Sequence, residues 1–232
     1  MVRFYYNFLK FMKTNLDQRK IAQEVALILI KIGAVTFRFD PPYIFTSGLK
    51  SPIYLDNKIV MSYPKERERI INSYMTVIKK LIGLKNVDYI SATATAAIPQ
   101  GAWIAQKLKL PLVFVRPTTK SYGKGNKLEG HLKKGSKVVI IEDHISTATS
   151  LIGNAQTVRE LGGKVKFCVS TTNYESQKFK EKIKENSLKV ISLTTGKIIV
   201  EEAYKKGIIN NKQKQLIDLW FEDPVNWAQK YL

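Results

Sequence analysis

One cysteine, two histidines and 19 acidic residues are what this 232-residue chain has least of. With Cys168 alone, no intrachain disulfide can form. It lies in the apolar stretch KVKFCVS, so a buried structural thiol is expected. That usage fits an intracellular, cytoplasmic protein. Two histidines and one thiol are too few for a structural zinc site. No run approaches 18 apolar residues, so no spanning helix and no membrane partner are expected. The first residues, MVRFYYNFLKFMKTN, are apolar and basic but broken by Arg, Asn and Lys, without a small-residue cleavage site. They read as a surface or partner-contacting helix rather than a signal peptide. There is no Walker lysine motif, GxGxxG, repeat, heptad pattern or low-complexity linker.

Positive charge is abundant. Lys plus Arg number 38, giving a formal net charge of +19. Such an excess raises the local concentration of polyanions without identifying a site. The basic residues run along the whole chain, and KFKEKIKEN at 178–186 reads as a solvated helix face. A nucleic-acid partner stays open but is not favoured.

Apolar positions 21, 22, 25, 28, 29 and 32 keep helical spacing over 16–33, and Gly33 can close that helix. AVTFRF at 34–39 alternates like a strand, and a turn-rich piece with Pro41, Pro42, Gly48 and Pro52 follows. A basic helix is expected at about 65–82. From residue 87 strands alternate with helices: strands at 87–92, 111–116, 137–141, 164–170 and 188–194, with helices after 98 and over 149–161. Residues 117–134 lack core periodicity and read as a lid or substrate loop. VVII carries no polar alternation, as a strand covered on both faces would. The fold class expected is α/β, a mostly parallel twisted sheet flanked by helices. Residues 1–196 would form the main domain, including an N-terminal helix and a small hood. Residues 197–232 would form a helical extension in which Trp220, Phe221 and Trp227 pack. Ligands of such sheets sit beyond the C-terminal strand ends, which places 91–99, 115–131 and 142–150 around one mouth.

The segment 133–163 carries the chemistry. A short apolar strand leads into Glu142 and Asp143, then Ser146, Thr147, Thr149 and Ser150, then a helix. A turn entering a helix offers N–H groups to a phosphate. Carboxylates accept bonds from ribose hydroxyls or hold Mg²⁺. The plain alternative, acids placed at a helix N-terminus, needs one hydroxyl as a cap, and four are present. His144 reads as a satisfied surface histidine. Arg116 and Lys120 are either solvated loop charges or anion contacts.

IIEDHISTATS at 140–150 resembles the 5-phosphoribosyl-1-pyrophosphate loop of the type I phosphoribosyltransferases. The arrangement of the chain resembles the orotate phosphoribosyltransferase family, and its tail is similar to that of some archaeal members. PPYIFTSGLKSPIYLD at 41–56 is similar to the family's early substrate segment, with Ser47, Gly48, Lys50 and Tyr54 as candidate contacts. VDYISATATAAIP at 87–99 takes the place of its pyrophosphate turn, at Thr95, Ala96 and Ala97. VRPTTKSYGKGNKLEG at 115–130 is similar to its mobile catalytic loop. The resemblance implies transfer of a phosphoribosyl group to orotate, with Mg²⁺ as cofactor and a homodimer whose loop completes the partner's site. Candidate ligands are phosphoribosyl pyrophosphate, orotate or a nucleoside monophosphate. In that scheme Glu142 and Asp143 hold the ribose diol, Ser146, Thr147, Ala148, Thr149 and Ser150 cradle the 5′-phosphate, and Arg116 and Lys120 neutralise the leaving pyrophosphate. No firm metal ligand is assigned.

Several positions depart from the family pattern. SATATAAIP has neither the usual glycines nor a lysine, and Ala148 replaces a glycine. Thr46 and Pro117 stand where basic residues are frequent, Tyr122 where a histidine is common, and Asn173 where an orotate-contacting arginine is expected. Lost charge partners cost about 2–5 kcal/mol each in binding. The expectation is therefore a family member with weak or no transferase activity that still binds a phosphoribosyl compound or nucleotide. The alternative is an active enzyme of pyrimidine biosynthesis that forms orotidine 5′-monophosphate and pyrophosphate. The resemblance and the apolar residues Phe4, Tyr5, Tyr6, Phe8 and Phe11 also predict a dimer. Sedimentation equilibrium at micromolar concentration should return twice the 26.5 kDa chain mass, and a single chain mass across the range would refute it.

Overall fold

The computed structural model describes residues 2–45, 47–116 and 127–231, with side chains from Leu16 onward. Helix α1 spans Val2–Lys31 as one continuous element. The segment read above as a separate leading helix is therefore its first half. Ala22, Val25, Ile28, Leu29 and Ile32 are buried as the spacing predicts, Ile21 is half-buried, Ala26 is buried as well, and Gly33 ends the helix with φ 73°. Four short strands follow: β1 (Val35–Phe37), β2 (Tyr43–Ile44), β3 (Lys50–Ser51) and β4 (Ile53–Leu55). They pair as two antiparallel ribbons, β1 with β4 and β2 with β3, and form a small hood. A 3-10 turn at Asn57–Ser62 leads to α2 (Pro64–Val77), which continues as a π turn to Ile82.

The main sheet has the order β10-β9-β8-β5-β6-β7. Its strands are β5 (Tyr89–Thr93), β6 (Leu112–Val115), β7 (Leu128–Glu129), β8 (Lys137–Ile145), β9 (Lys164–Asn173) and β10 (Lys189–Thr195). All neighbours are parallel except the edge pair β6 and β7. The connecting helices are α3 (Ile98–Leu108), α4 (Thr149–Glu160) and α5 (Gln177–Glu185), and the tail forms α6 (Gly196–Lys205), α7 (Asn211–Glu222) and α8 (Trp227–Tyr231). This is the α/β architecture expected. No helix among the described residues is long and apolar enough to cross a membrane.

Two differences bear on the site. β8 does not stop at Ile141 but runs on through Glu142, Asp143 and His144. Its partner β9 is likewise longer, and the register Glu142↔Ser170, His144↔Thr172 and Ile145↔Asn173 supplies backbone partners for residues that carry no strand-like hydrophobicity. Residues 117–126 lie outside the described residues. The rest of the stretch read as a loop includes β7, which pairs Leu128 with Val115 at the sheet edge.

Each sheet face has its own core. One collects α1, α2, the hood and the tail; the other lies under α4 and α5. Val138–Ile141 are buried, covered on both faces. Where α3 crosses β5, a Cβ at Gly101 would stand 2.8 Å from the Ala92 Cβ, so only glycine permits that approach. Trp220 and Trp227 are buried in the first core, and the Trp227 indole N–H donates to the Leu216 carbonyl. Replacing such a residue removes its transfer free energy and leaves a cavity. Trp227→Ala should therefore lower stability by about 3–5 kcal/mol, read as a shifted urea midpoint at unchanged slope. A loss below about 1 kcal/mol would show that α8 is not part of the core.

Candidate active site

Strand order reverses at β5, which has β6 on one side and β8 on the other. The cleft beyond the strand ends at such a switch is where a ligand fits an open parallel sheet. Glu142, the phosphate-loop residues and Arg116 lie around it.

Glu142 is 4% exposed, and its Oε1 has no hydrogen-bond partner. Burial pushes its pKa up to about 8 against a hydrogen bond from Thr93, and the charge of Asp143 adds to the rise. Asp143 is also raised by burial, opposed by backbone hydrogen bonds and by the charge of Lys58. The main chain of the two acids is pinned from the first core. The Tyr74 hydroxyl of α2 donates to the Glu142 carbonyl at 2.8 Å and lies 2.8 Å from Thr171 Oγ1. Asn57 Nδ2 donates to the Asp143 carbonyl and to Thr172 Oγ1, both at 2.7 Å. On the other side Asn154 of α4 accepts from Ser91 and donates to Thr93, the residue that bonds Glu142. Tyr74, Asn57, Asn154 and Thr93 were absent from the sequence reading. Their partners lie 61 to 115 residues away, so no local pattern reports them.

Ser146, Thr147, Ala148, Thr149 and Ser150 join β8 to α4 and, with Glu142 and His144, line a cavity of about 150 Å³. No side chain caps α4, which leaves its first-turn amides available to an anion. The hydroxyls are thus not explained as caps. Ala148 has φ 61°, the left-handed region where glycine is easier. Its methyl belongs to the core beneath α4.

Arg116 follows β6, its guanidinium 3.3 Å from Glu129. It shares a second cavity, about 510 Å³, with Thr149, Ser150, Lys127 and Lys182. Lys120 lies outside the described residues, as do Thr46, Pro117 and Tyr122. Thr95, Ala96 and Ala97 stand at the end of β5 after a cis Ala94–Thr95 peptide, and none has positive φ. Ala97 is right-handed at φ −87°, so this turn does not need the glycine its family position suggested. Ser47, Gly48, Lys50 and Tyr54 lie in the hood and line neither cavity. Gly48 (φ 80°) turns β2 into β3, and the Lys50 carbonyl accepts from Trp220 Nε1 at 2.9 Å.

One expectation about a single residue fails. His144 is not a surface residue. It is half-buried, its Nδ1 lies 2.8 Å from Thr172 Oγ1, its ring is edge-on to Tyr174, and burial pushes its pKa down to about 4. Asn173 lies within β9, donates to Ser192 Oγ at 2.6 Å and accepts from the Glu175 amide.

The Phosphoribosyl transferase domain model matches residues 65–206. The orotate phosphoribosyltransferase of Coxiella burnetii is 36% identical over 206 residues, 89% of this chain and 98% of its own length. That of Bacillus cereus is 39% identical over 206 residues, 89% of this chain and 97% of its own. The chain belongs to the orotate phosphoribosyltransferase family. Among solved structures, the orotate phosphoribosyltransferase of Aeropyrum pernix superposes with a TM-score of 0.69 at 25% identity, covering 80% of this chain and 99% of that one. Leishmania donovani UMP synthase shares the fold, with a TM-score of 0.72 at 22% identity, over 87% of this chain and 42% of that one. These relatives do not support a member of weak or absent activity and favour the active alternative.

The raised carboxylate has a thermodynamic sign. Between pH 4.5 and about 8 the folded family member keeps a proton on Glu142 that the unfolded chain has released. The folded state binds more protons there, so this residue makes stability fall as pH rises through that window. Glu142→Gln should flatten that part of the pH dependence and raise stability at pH 7.5 by on the order of 2 kcal/mol. Urea denaturation at pH 5, 6.5 and 8 checks it, and parallel curves for the two proteins would refute the assignment.

Proposed function

We propose that this family member is a working orotate phosphoribosyltransferase, joining orotate to phosphoribosyl pyrophosphate with release of pyrophosphate. The observation that carries the reading is a match to orotate phosphoribosyltransferases over nearly their whole length, at 36% and 39% identity. The unpartnered Glu142 oxygen beside a hydroxyl-lined cavity supports it. In the reaction the bond from ribose C1 to orotate N1 forms as the C1–oxygen bond to pyrophosphate breaks, and the N1 proton passes to a pyrophosphate oxygen or to solvent.

The residues divide the work by charge. Glu142 Oε1 accepts from a ribose hydroxyl, an interaction that draws the carboxyl to its ionised form, and Asp143 holds the other side of the diol. The hydroxyls of Ser146, Thr147, Thr149 and Ser150 and the first-turn amides of α4, beside Ala148, take the 5′-phosphate. Arg116, with Lys120 of the loop, neutralises the leaving pyrophosphate, and the main chain of Thr95, Ala96 and Ala97 faces it. Ser47, Gly48, Lys50 and Tyr54 close over the base from the hood. The protein supplies position and charge rather than a covalent partner.

The donor set suits a magnesium ion that arrives with its substrate. No group of three or more His, Cys, Asp or Glu residues gathers among the described residues. Two adjacent carboxylates, one with an orphaned oxygen, match an ion that keeps waters and is bound through one or two carboxylates plus phosphates. Glu142 and Asp143 would hold it, and its chemistry there is to screen the pyrophosphate charge. A homodimer, with the 117–134 loop completing the partner's site, belongs to the same reading.

Loss of orotate absorbance with Mg²⁺ and phosphoribosyl pyrophosphate, at low salt and neutral pH, tests the proposal. Turnover of about 1–10³ s⁻¹ is expected. Arg116→Ala should lower kcat by roughly 10²–10³-fold, as loss of a transition-state donor does. No turnover by the wild-type chain would overturn the proposal and restore the reading of a binding protein.

A further inference from the structure

The phosphate loop carries four hydroxyls and no cation of its own. A phosphate monoester brings about −1.5 to −2 charges at neutral pH, and a helix N-terminus offers only about half a positive charge. Arg116 is assigned to the pyrophosphate end of the ligand. None of the residues assigned so far to the 5′-phosphate end is a cation, although Lys127 and Lys182 share the larger cavity with Thr149 and Ser150.

Helix α5 meets the loop at two points. Its N-cap residue Ser176 donates from Oγ to the Ser146 carbonyl at 2.9 Å, while accepting from the Phe179 amide. Nearly two turns further on, Lys182 Nζ donates to Thr149 Oγ1 at 2.7 Å. Thr149 Oγ1 in turn lies 3.1 Å from Thr147 Oγ1. Lys182 is half-buried and makes no ion pair among the described residues. Glu181, its chain neighbour, is engaged by Gln177. A hydroxyl accepts two hydrogen bonds and donates one. Lys182 donates to Thr149 Oγ1; the Thr147–Thr149 bond can run either way, and with Thr147 as its donor the Thr149 proton is free to meet an incoming oxyanion. The ammonium then stands one hydrogen bond from the same oxyanion.

We propose that Lys182 is the cationic 5′-phosphate-binding residue of this site, supplied by α5 from outside the phosphate loop. The inference rests on the phosphoribosyl reading of residues 142–150. It adds that the site selects a doubly charged phosphate at C5 through a side chain that lies 32 residues beyond Ser150. Lys182 orients Thr149 before the ligand arrives and contributes its own charge-assisted bond once the ligand is bound.

The test uses the full chain with Lys182→Met, which keeps the apolar stem, Lys182→Arg, which keeps the charge, and Lys184→Met as a control on the exposed side of the same helix. Ribose 5-phosphate binding is measured by calorimetry at low salt, and KM is measured separately for phosphoribosyl pyrophosphate and orotate. The expected result for Lys182→Met is an approximately tenfold weaker ribose 5-phosphate affinity, the size of one charged hydrogen bond at a half-exposed position. KM for phosphoribosyl pyrophosphate should rise by a similar factor, with KM for orotate unchanged. Lys182→Arg should recover most of the affinity, and Lys184→Met should match wild type. Unchanged affinity in Lys182→Met, or an equal loss in Lys184→Met, would overturn the proposal while leaving the phosphoribosyl site in place. Failure of the wild-type chain to bind ribose 5-phosphate at millimolar concentration would overturn the underlying site and the proposal together. Binding without orotate turnover would overturn the enzyme assignment alone, leaving the Lys182 contact standing.

Discussion

A carboxylate taken out of water at the end of β8 sets the terms for the rest of the site. Burial there favours the neutral form of Glu142. The surrounding residues hold it in place without satisfying it. Tyr74 fixes its carbonyl, and Thr93, itself held by Asn154, opposes the rise in its pKa. Its Oε1 stays unpaired. A group arranged this way is costly in the free protein and becomes favourable when a hydroxyl or a cation meets it. Stability is lost at the place where binding is gained, as expected where a titratable group serves a ligand.

The sheet makes this arrangement possible by keeping two cores apart. The core of α1, α2 and the tail anchors Tyr74 and receives Asn57; the core beneath α4 and α5 anchors Asn154 and the Ala148 methyl. β8 lies between them and carries the acids to the rim. The hydroxyl-rich loop follows directly, so the spacing between the carboxylates and the hydroxyls is fixed by one strand–turn–helix segment. α5 then braces that segment from outside through Ser176 and Lys182.

The tail is tied to the hood by aromatic contacts. Tyr174 stands edge-on to His144 and to Trp220, and Trp220 stands edge-on to Phe45 in the hood. The Trp220 indole also bonds the Lys50 carbonyl. This row runs from the phosphate end of the site to the segment that would meet the base. It gives the last helices a share in holding the hood, although their residues are distant in sequence from every candidate ligand contact.

The sequence by itself determined the layered α/β form, because hydrophobic periodicity and strand–helix alternation are local. It also determined the acid–hydroxyl–helix segment, because all its parts lie within eleven residues. It placed Trp220 and Trp227 in packing roles, since large apolar groups must find cover. It misjudged His144, whose surroundings depend on burial rather than on residue type, and it could not report the backbone at Ala97 and Ala148. Ala97 stands where a glycine was expected, yet it is right-handed. Ala148 is left-handed, yet its methyl is in the core. Only the tertiary structure decided which distant groups meet the acids and the loop: Asn57, Tyr74, Asn154 and Lys182 are joined to them by chain closure across the sheet. Their side chains are ordinary for helices and turns. What makes them part of the site is a neighbour dozens of residues away, and a one-dimensional pattern carries no measure of that distance.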